Sequence, residues 1–137
     1  MQHRVEFRPD EDMLTIKEYI NSIGHYNAFD YIKVIQLVDK IDSIIPRVYH
    51  GENNPNNGNR LWTIDIGRER SPVIYITIEV KALGKDHIHP DLQQIIINEC
   101  KTAASEAAAD EISHEIHETD IGKQYHYKSI ELRFWWD

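Results

Sequence analysis

LWTIDIGRERSPVIYITIEV, residues 61–80, is the stretch on which the fold turns. Trp62, Ile64 and Ile66 alternate with Thr63 and Asp65, and Ile74, Ile76, Ile78 and Val80 alternate with Tyr75, Thr77 and Glu79. A period of two sends successive side chains to opposite faces of a pleated strand, and β-branched residues suit that surface. The charged segment Gly67 to Pro72 reads as the connection between Leu61–Ile66 and Val73–Val80 in a hairpin with one strongly apolar face. Such a face needs a covering layer, and the flanking sequence supplies it.

Upstream, residues 3–8 alternate, with Val5 and Phe7 on one side and Arg4, Glu6 and Arg8 on the other, until Pro9 interrupts. Asp10, Glu11 and Asp12 then sit where a helix N-terminus favours negative charge. Met13, Ile16, Ile20 and Ile23 follow at helical spacing up to Gly24. A second helix is expected from an N-cap at Asn27 through Tyr31, Ile35, Val38, Ile41 and Ile45 to Pro46. From Val48 to Arg60 the chain is polar, and the Asn-rich run 53–59 has the chemistry of an exposed loop.

Downstream, a loop holding Gly84, His87, His89 and Pro90 leads into Leu92, Ile96, Cys100, Ala104, Ala108, Ile112 and Ile116, spaced by four. This spacing predicts one long helix of about 28 residues, roughly 42 Å, ended by Gly122. Tyr125 to Trp136 alternates again as a last strand, with Ile130, Leu132, Phe134 and Trp136 on the apolar side. The order β, αα, β, β, α, β matches the split βαβ, ferredoxin-like plan when the first two helices form one crossover. The expectation is a single α+β domain over residues 1–137, with a four-stranded, mainly antiparallel sheet and helices on one face.

Asp and Glu number 23 against 15 Lys and Arg, a net charge of −8 that disfavours nucleic acid and anionic membrane surfaces. No stretch approaches the roughly 18 uncharged apolar residues of a membrane span. Cys100 has no second cysteine to pair with, and the N-terminal residues have neither signal-peptide nor transit-peptide character. A cytoplasmic location is expected.

Asp110, His114 and His117 fall at i, i+4 and i+7, within about 60° of arc on the expected helix, and are the weak metal candidates. Ile112 and Ile116 mark the buried side and point nearly opposite, so these histidines should be solvated. One helix face alone does not close a zinc site, and the HExxH spacing is absent. Neither a metal nor a cofactor is expected. GxSxG, P-loop and GxGxxG motifs are absent, and Cys100 lies within an apolar stripe, where a thiol is not activated. Catalytic residues are therefore not assigned.

The side of the sheet away from the helices is more informative. It should carry Arg4, Glu6, Arg8, Thr63, Asp65, Val73, Tyr75, Thr77, Glu79, Tyr125, Tyr127, Glu131, Arg133 and Trp135. Tyr, Trp and Arg are enriched at interface hot spots, although aromatic residues also simply favour strands. Exposed rings on such a sheet also suit single-stranded RNA, but the Gly- and Lys/Arg-bearing strand motif of those platforms is missing. Ala103, Ala104, Ala107, Ala108 and Ala109 line a helix expected to overhang its sheet, a second reason to expect a homo-oligomer such as a homodimer.

Two functional readings follow. The first is a non-enzymatic interaction protein acting as a homo-oligomer, an inhibitor or immunity-type partner of a basic protein. Its ligand or interface residues are Tyr75, Tyr127, Arg133, Trp135 and His126. The second is a small-ligand binder or small enzyme with a pocket lined by the same residues at the sheet/helix or dimer interface. There His126, His87 and His89 would serve as acid–base groups.

Overall fold

The computed structural model describes residues 4–49, 61–122 and 125–137; the Asn-rich run 53–59 lies outside the described residues. The chain is α+β, with three helices and a mainly antiparallel six-stranded sheet among the described residues. Strand β1 is Arg4–Phe7 and helix α1 is Pro9–Ile23. Pro9 opens α1 with its φ already helical, and Arg8 N donates to Asp12 Oδ2 at 3.1 Å, closing the first turn. Gly24, at φ 70, ends the helix.

A two-strand ribbon follows, β2 (His25–Tyr26) and β3 (Phe29–Asp30), turning at Asn27, φ 51. Asn27 is therefore a turn residue and not the expected N-cap. Asp30 caps α2 (Tyr31–Val48) instead, its carboxylate accepting from Ile32 N at 3.0 Å. The ribbon exists because it buries Phe29, which packs edge-on against Trp136 with ring centroids 5.3 Å apart. Pro46 does not stop α2, which continues to the buried Val48.

β4 (Trp62–Glu69) and β5 (Ser71–Ala82) form the hairpin, with Ile64 opposite Ile76 and Ile66 opposite Ile74. Pairing runs through Gly67 to Pro72, the segment expected as a connection, and the chain reverses at Arg70, φ 70. β6 (Lys85–Asp86) returns briefly along β5.

The long helix expected to run to Ile116 is two elements. α3 is Pro90–Glu106, Ala108 adopts φ 64, and Glu111–Asp120 is strand β7, paired with β8 (His126–Trp135) through a turn at Gly122. Ile112 and Ile116 satisfy a spacing of four and also, with His114 between them, a spacing of two, so the apolar pattern did not discriminate. The helix closes with Ala108 in the left-handed conformation and Ala109 N donating back to Ala104 O at 3.1 Å, and the Trp136 indole N–H donates to the freed Ala107 carbonyl at 2.9 Å. Ala103, Ala104 and Ala107 are buried in the core, so no overhanging Ala-rich helix exists to recruit a second subunit.

The main sheet runs β1-β4-β5-β8-β7, every neighbour antiparallel. This differs from the four-stranded split βαβ order. β1 is an edge strand antiparallel to β4, and the extra strand β7 takes the opposite edge. β5 and β7 run parallel, with β8 inserted between them and α3 as the crossover. One apolar cluster joins the helices to Ile64, Ile66, Ile74, Ile76, Ile78, Ile130, Leu132 and Phe134, all on one face. Each such side chain contributes roughly 1.5–3 kcal/mol on burial. No described helix is long and apolar enough to cross a membrane.

Candidate functional site

The other face of the sheet carries no helix among the described residues, and the register arranges its side chains in rows across the strands. At one end Gly67, Val73, Trp135 and Glu111 line up with Arg4. The next row is Glu6, Asp65, Tyr75, Arg133 and Ser113, and the third is Thr63, Thr77, Glu131 and Glu115. Beyond it come Glu79, Ser129 and His117. The alternation in 61–80 and 125–136 thus places the expected open-face residues of β4, β5 and β8 where they were anticipated.

Tyr75, Arg133 and Trp135 come together around Glu69. Arg133 donates to Glu69 Oε1 from Nη2 at 2.7 Å and Nε at 3.0 Å, and reaches Glu111 Oε1 at 3.4 Å. The Tyr75 hydroxyl donates to Glu69 Oε2 at 2.5 Å, and the Trp135 indole donates to Glu69 O at 2.9 Å. Arg4 lies over the Tyr75 ring at 4.3 Å and Arg133 over the Trp135 ring at 6.0 Å. Val73, on this open face, is nonetheless fully buried, between its cross-strand partners Gly67 and Trp135. Partial burial opposes the Glu69 charge, but the Tyr75 hydroxyl and the Arg133 guanidinium outweigh it and hold the carboxyl below its ordinary range. Burial and the Glu69 carboxylate push the Tyr75 hydroxyl upward.

Tyr127 and His126 are not part of this cluster. Tyr127 lies six residues along β8 from Arg133, about 20 Å away on an extended strand. There it lines a cleft of about 240 Å³ with Thr77, Glu79, Lys81 and His117. His126 is engaged by the hairpin end, its Nδ1 2.5 Å from Asp120 Oδ1 and its Nε2 3.5 Å from Glu118 Oε2. Of the two loop histidines, His89 caps α3 by accepting from Asp91 N, and His87 Nε2 sits 3.0 Å from Glu79 Oε1.

The metal candidates expected from the sequence separate. Asp110 Oδ2 accepts from Asp137 N at 2.8 Å, and strand alternation puts His114 on the opposite face from His117. His117 instead joins Glu115 and Glu131, with one ligand atom from each lying within 4.8 Å of the others. All three are at the surface, where such groups are common without an ion. Glu69, Glu111 and Glu115 are the participants that sequence reasoning missed. Glu69 was assigned to a connection and the other two to a helix.

Two cross-strand pairs on this face set like charges directly opposite each other, Glu6 with Asp65 and Glu131 with Glu115. The consequence shows at Asp65, whose carboxyl is pushed up by burial and by Glu6, with Glu131 adding and Arg4 opposing. A second cleft, about 370 Å³, lies between α2 and α3, where Lys40 pairs with Glu106 and Arg47 Nη2 lies 2.5 Å from Glu99 Oε1. Cys100 is buried and its thiol is pushed up to about 12, mainly by burial, so it is not a nucleophile in the folded chain. No family model, curated protein or solved structure matches this chain.

Proposed function

We propose that this chain is a non-enzymatic binding protein that docks a basic protein surface on the open face of its sheet, as an inhibitor or immunity-type partner does. The observation that carries this reading is the pair of like-charge juxtapositions, Glu6 with Asp65 and Glu131 with Glu115. Like charges directly opposite each other on a sheet destabilise it, and a cationic partner removes that cost on binding. Arg133 is held by Glu69 and Arg4 stacks on Tyr75; Arg4 offsets the charge at Asp65 only in part, and the His117 imidazole bridges Glu115 and Glu131 at 3.6 and 3.8 Å. Tyr75 and Trp135, fixed by hydrogen bonds to Glu69, add stiff area at low entropic cost. The net charge of −8 steers the same encounter. The cytoplasm suits such a protein, since its one thiol is buried and unpaired.

The test is capture by the full chain from its native cell at low salt, followed by titration calorimetry with the isolated partner. A basic partner is expected, with affinity that falls as salt rises. Neutralising the face with Glu6→Gln, Asp65→Asn, Glu115→Gln and Glu131→Gln together should weaken binding by at least about tenfold. Unchanged affinity in that variant, or no partner at low salt, defeats the reading.

A further inference from the structure

The free edge of β7 is ten residues long, Glu111–Asp120, and among the described residues no strand pairs with its outer side. Its register with β8 is unbroken, and it contains no proline. The opposite edge, β1, has four residues and is followed by Pro9. Exposed straight edges of this kind are templates for another strand, and proteins that keep theirs single blunt them.

The hydrogen-bond parity of the edge is fixed. Ile121 N donates to Tyr125 O at 3.2 Å and Trp136 N to Pro72 O at 3.1 Å. Both bonds continue the registers of β8 with its two neighbours, so the odd-numbered residues of β7 turn their backbone groups toward β8. Ile112, His114, Ile116, Glu118 and Asp120 therefore point N–H and C=O outward. A second strand can bond to this edge only in registers that set even-numbered residues opposite these.

We propose that β7 pairs antiparallel with β7 of a second copy of this chain, about a two-fold axis at Ile116, joining the two sheets into one. In that register Glu115 faces His117 of the second copy, and His114 faces Glu118, each contact occurring twice by symmetry. Ser113 faces Thr119, a pair able to hydrogen-bond, and Ile116, 48% exposed, covers its own copy. The five outward residues of each copy exchange about ten backbone hydrogen bonds. Neighbouring registers of the same parity lose the complementarity. An axis at Glu115 sets that carboxylate against itself, and one at His117 opposes two imidazoles. An axis at His114 shortens the overlap to residues 111–117. The self-complementary order of carboxylates and imidazoles along EISHEIHETD, residues 111–120, is what selects a second copy as the occupant. This pairing uses the backbone edge of β7, and of the acidic residues proposed for the basic partner it engages Glu115 alone.

Sedimentation equilibrium of the full chain at roughly 1 to 100 µM should show a dimer. Ile116→Pro removes an outward N–H and none of the β7–β8 ladder, and should weaken the dimer about thirtyfold or more while the far-ultraviolet circular dichroism is kept. Charge exchange tests the register without relying on that variant. Glu115→Lys with Glu118→Lys gives a cationic edge, and His114→Glu with His117→Glu gives an anionic one. Each should be monomeric alone, and an equimolar mixture should form the heterodimer. A monomeric wild type, a dimer indifferent to Ile116→Pro, or charge variants that self-associate as the wild type does overturns the proposal.

Discussion

Replacing Arg133 by Met should reveal how firmly the open face is organised. The guanidinium holds Glu69 through two bonds, at 2.7 and 3.0 Å, and both side chains are less than one-third exposed, 26% for Arg133 and 18% for Glu69. Met keeps most of the aliphatic stem packing and deletes the charge. Glu69 is then left largely shielded from water with the Tyr75 hydroxyl as its side-chain partner. Charged hydrogen bonds contribute about 1.5–3 kcal/mol net, and removing one partner of a fully buried ion pair costs about 3–5 kcal/mol. For this partly solvated pair we expect a loss of about 2 kcal/mol in urea unfolding at pH 7, or about 6 °C in Tm at this chain length. A double-mutant cycle with Glu69→Gln should return a coupling of about 1 kcal/mol or more. The sign with pH follows from Glu69. Its folded carboxyl lies below the ordinary value of 4.5, so the stabilisation is present above that pH and is lost as pH falls through the folded value. The gap between wild type and R133M should therefore narrow below about pH 4. A cost under about 0.5 kcal/mol at pH 7, or a cost undiminished at pH 3, would refute the network as described.

Asp65 behaves oppositely. Its folded carboxyl is raised, so its charge opposes folding at neutral pH, and Asp65→Asn should stabilise the chain at pH 7, the gain vanishing as the unfolded carboxyl also becomes protonated in acid urea melts. Ile76→Ala or Leu132→Ala, both at positions with no exposed surface, should each cost about 2–5 kcal/mol in the same assay. Asp30→Ala removes the α2 cap and should cost about 1 kcal/mol, whereas Asn27→Ala should not reproduce a cap defect. Cys100 should resist a thiol reagent in the native protein at pH 8 and react fully in denaturant; rapid native labelling would contradict its burial.

The strands around residues 61–80 and 125–136 were legible because their apolar residues recur at every second position without a break, and a helix sets i and i+2 on different sides. That alternation also fixed which face Tyr75, Arg133 and Trp135 occupy. The β7 segment was not legible by the same test, since Ile112 and Ile116 fit either period and the preceding alanines extend a helix without a break. A discriminating signal was present in the residues around them. Ser113, His114, His117 and Thr119 are poor helix formers, and a ten-residue span with two threonine or serine and two isoleucine side chains favours an extended edge. The stop itself gave no local signal, because the left-handed residue that makes it is Ala108 rather than a glycine, and the carbonyl it frees at Ala107 is bonded by Trp136, 29 residues further on. Glu69 and its ring of partners were hidden for a related reason. The hairpin reverses at a single left-handed residue, Arg70, rather than across the expected six-residue connection.

Once β7 is a strand, its backbone groups separate by parity. The odd residues Glu111, Ser113, Glu115 and His117 extend the open face and bring Glu115 against Glu131, adding to its negative charge. The even residues carry the outward backbone groups, and their side chains, Ile112, His114 and Ile116, fall on the side of the helices. A change confined to an even backbone position therefore acts on self-pairing and leaves the acidic face intact, and Ile116→Pro is such a change. Glu131→Gln, on the central strand β8, alters the face and leaves the β7 edge untouched. If one partner surface served both roles, these two substitutions would fail together. With separate groups serving the two roles, Ile116→Pro weakens the dimer about thirtyfold or more and preserves salt-sensitive capture of a basic protein, and Glu131→Gln weakens capture and preserves the dimer.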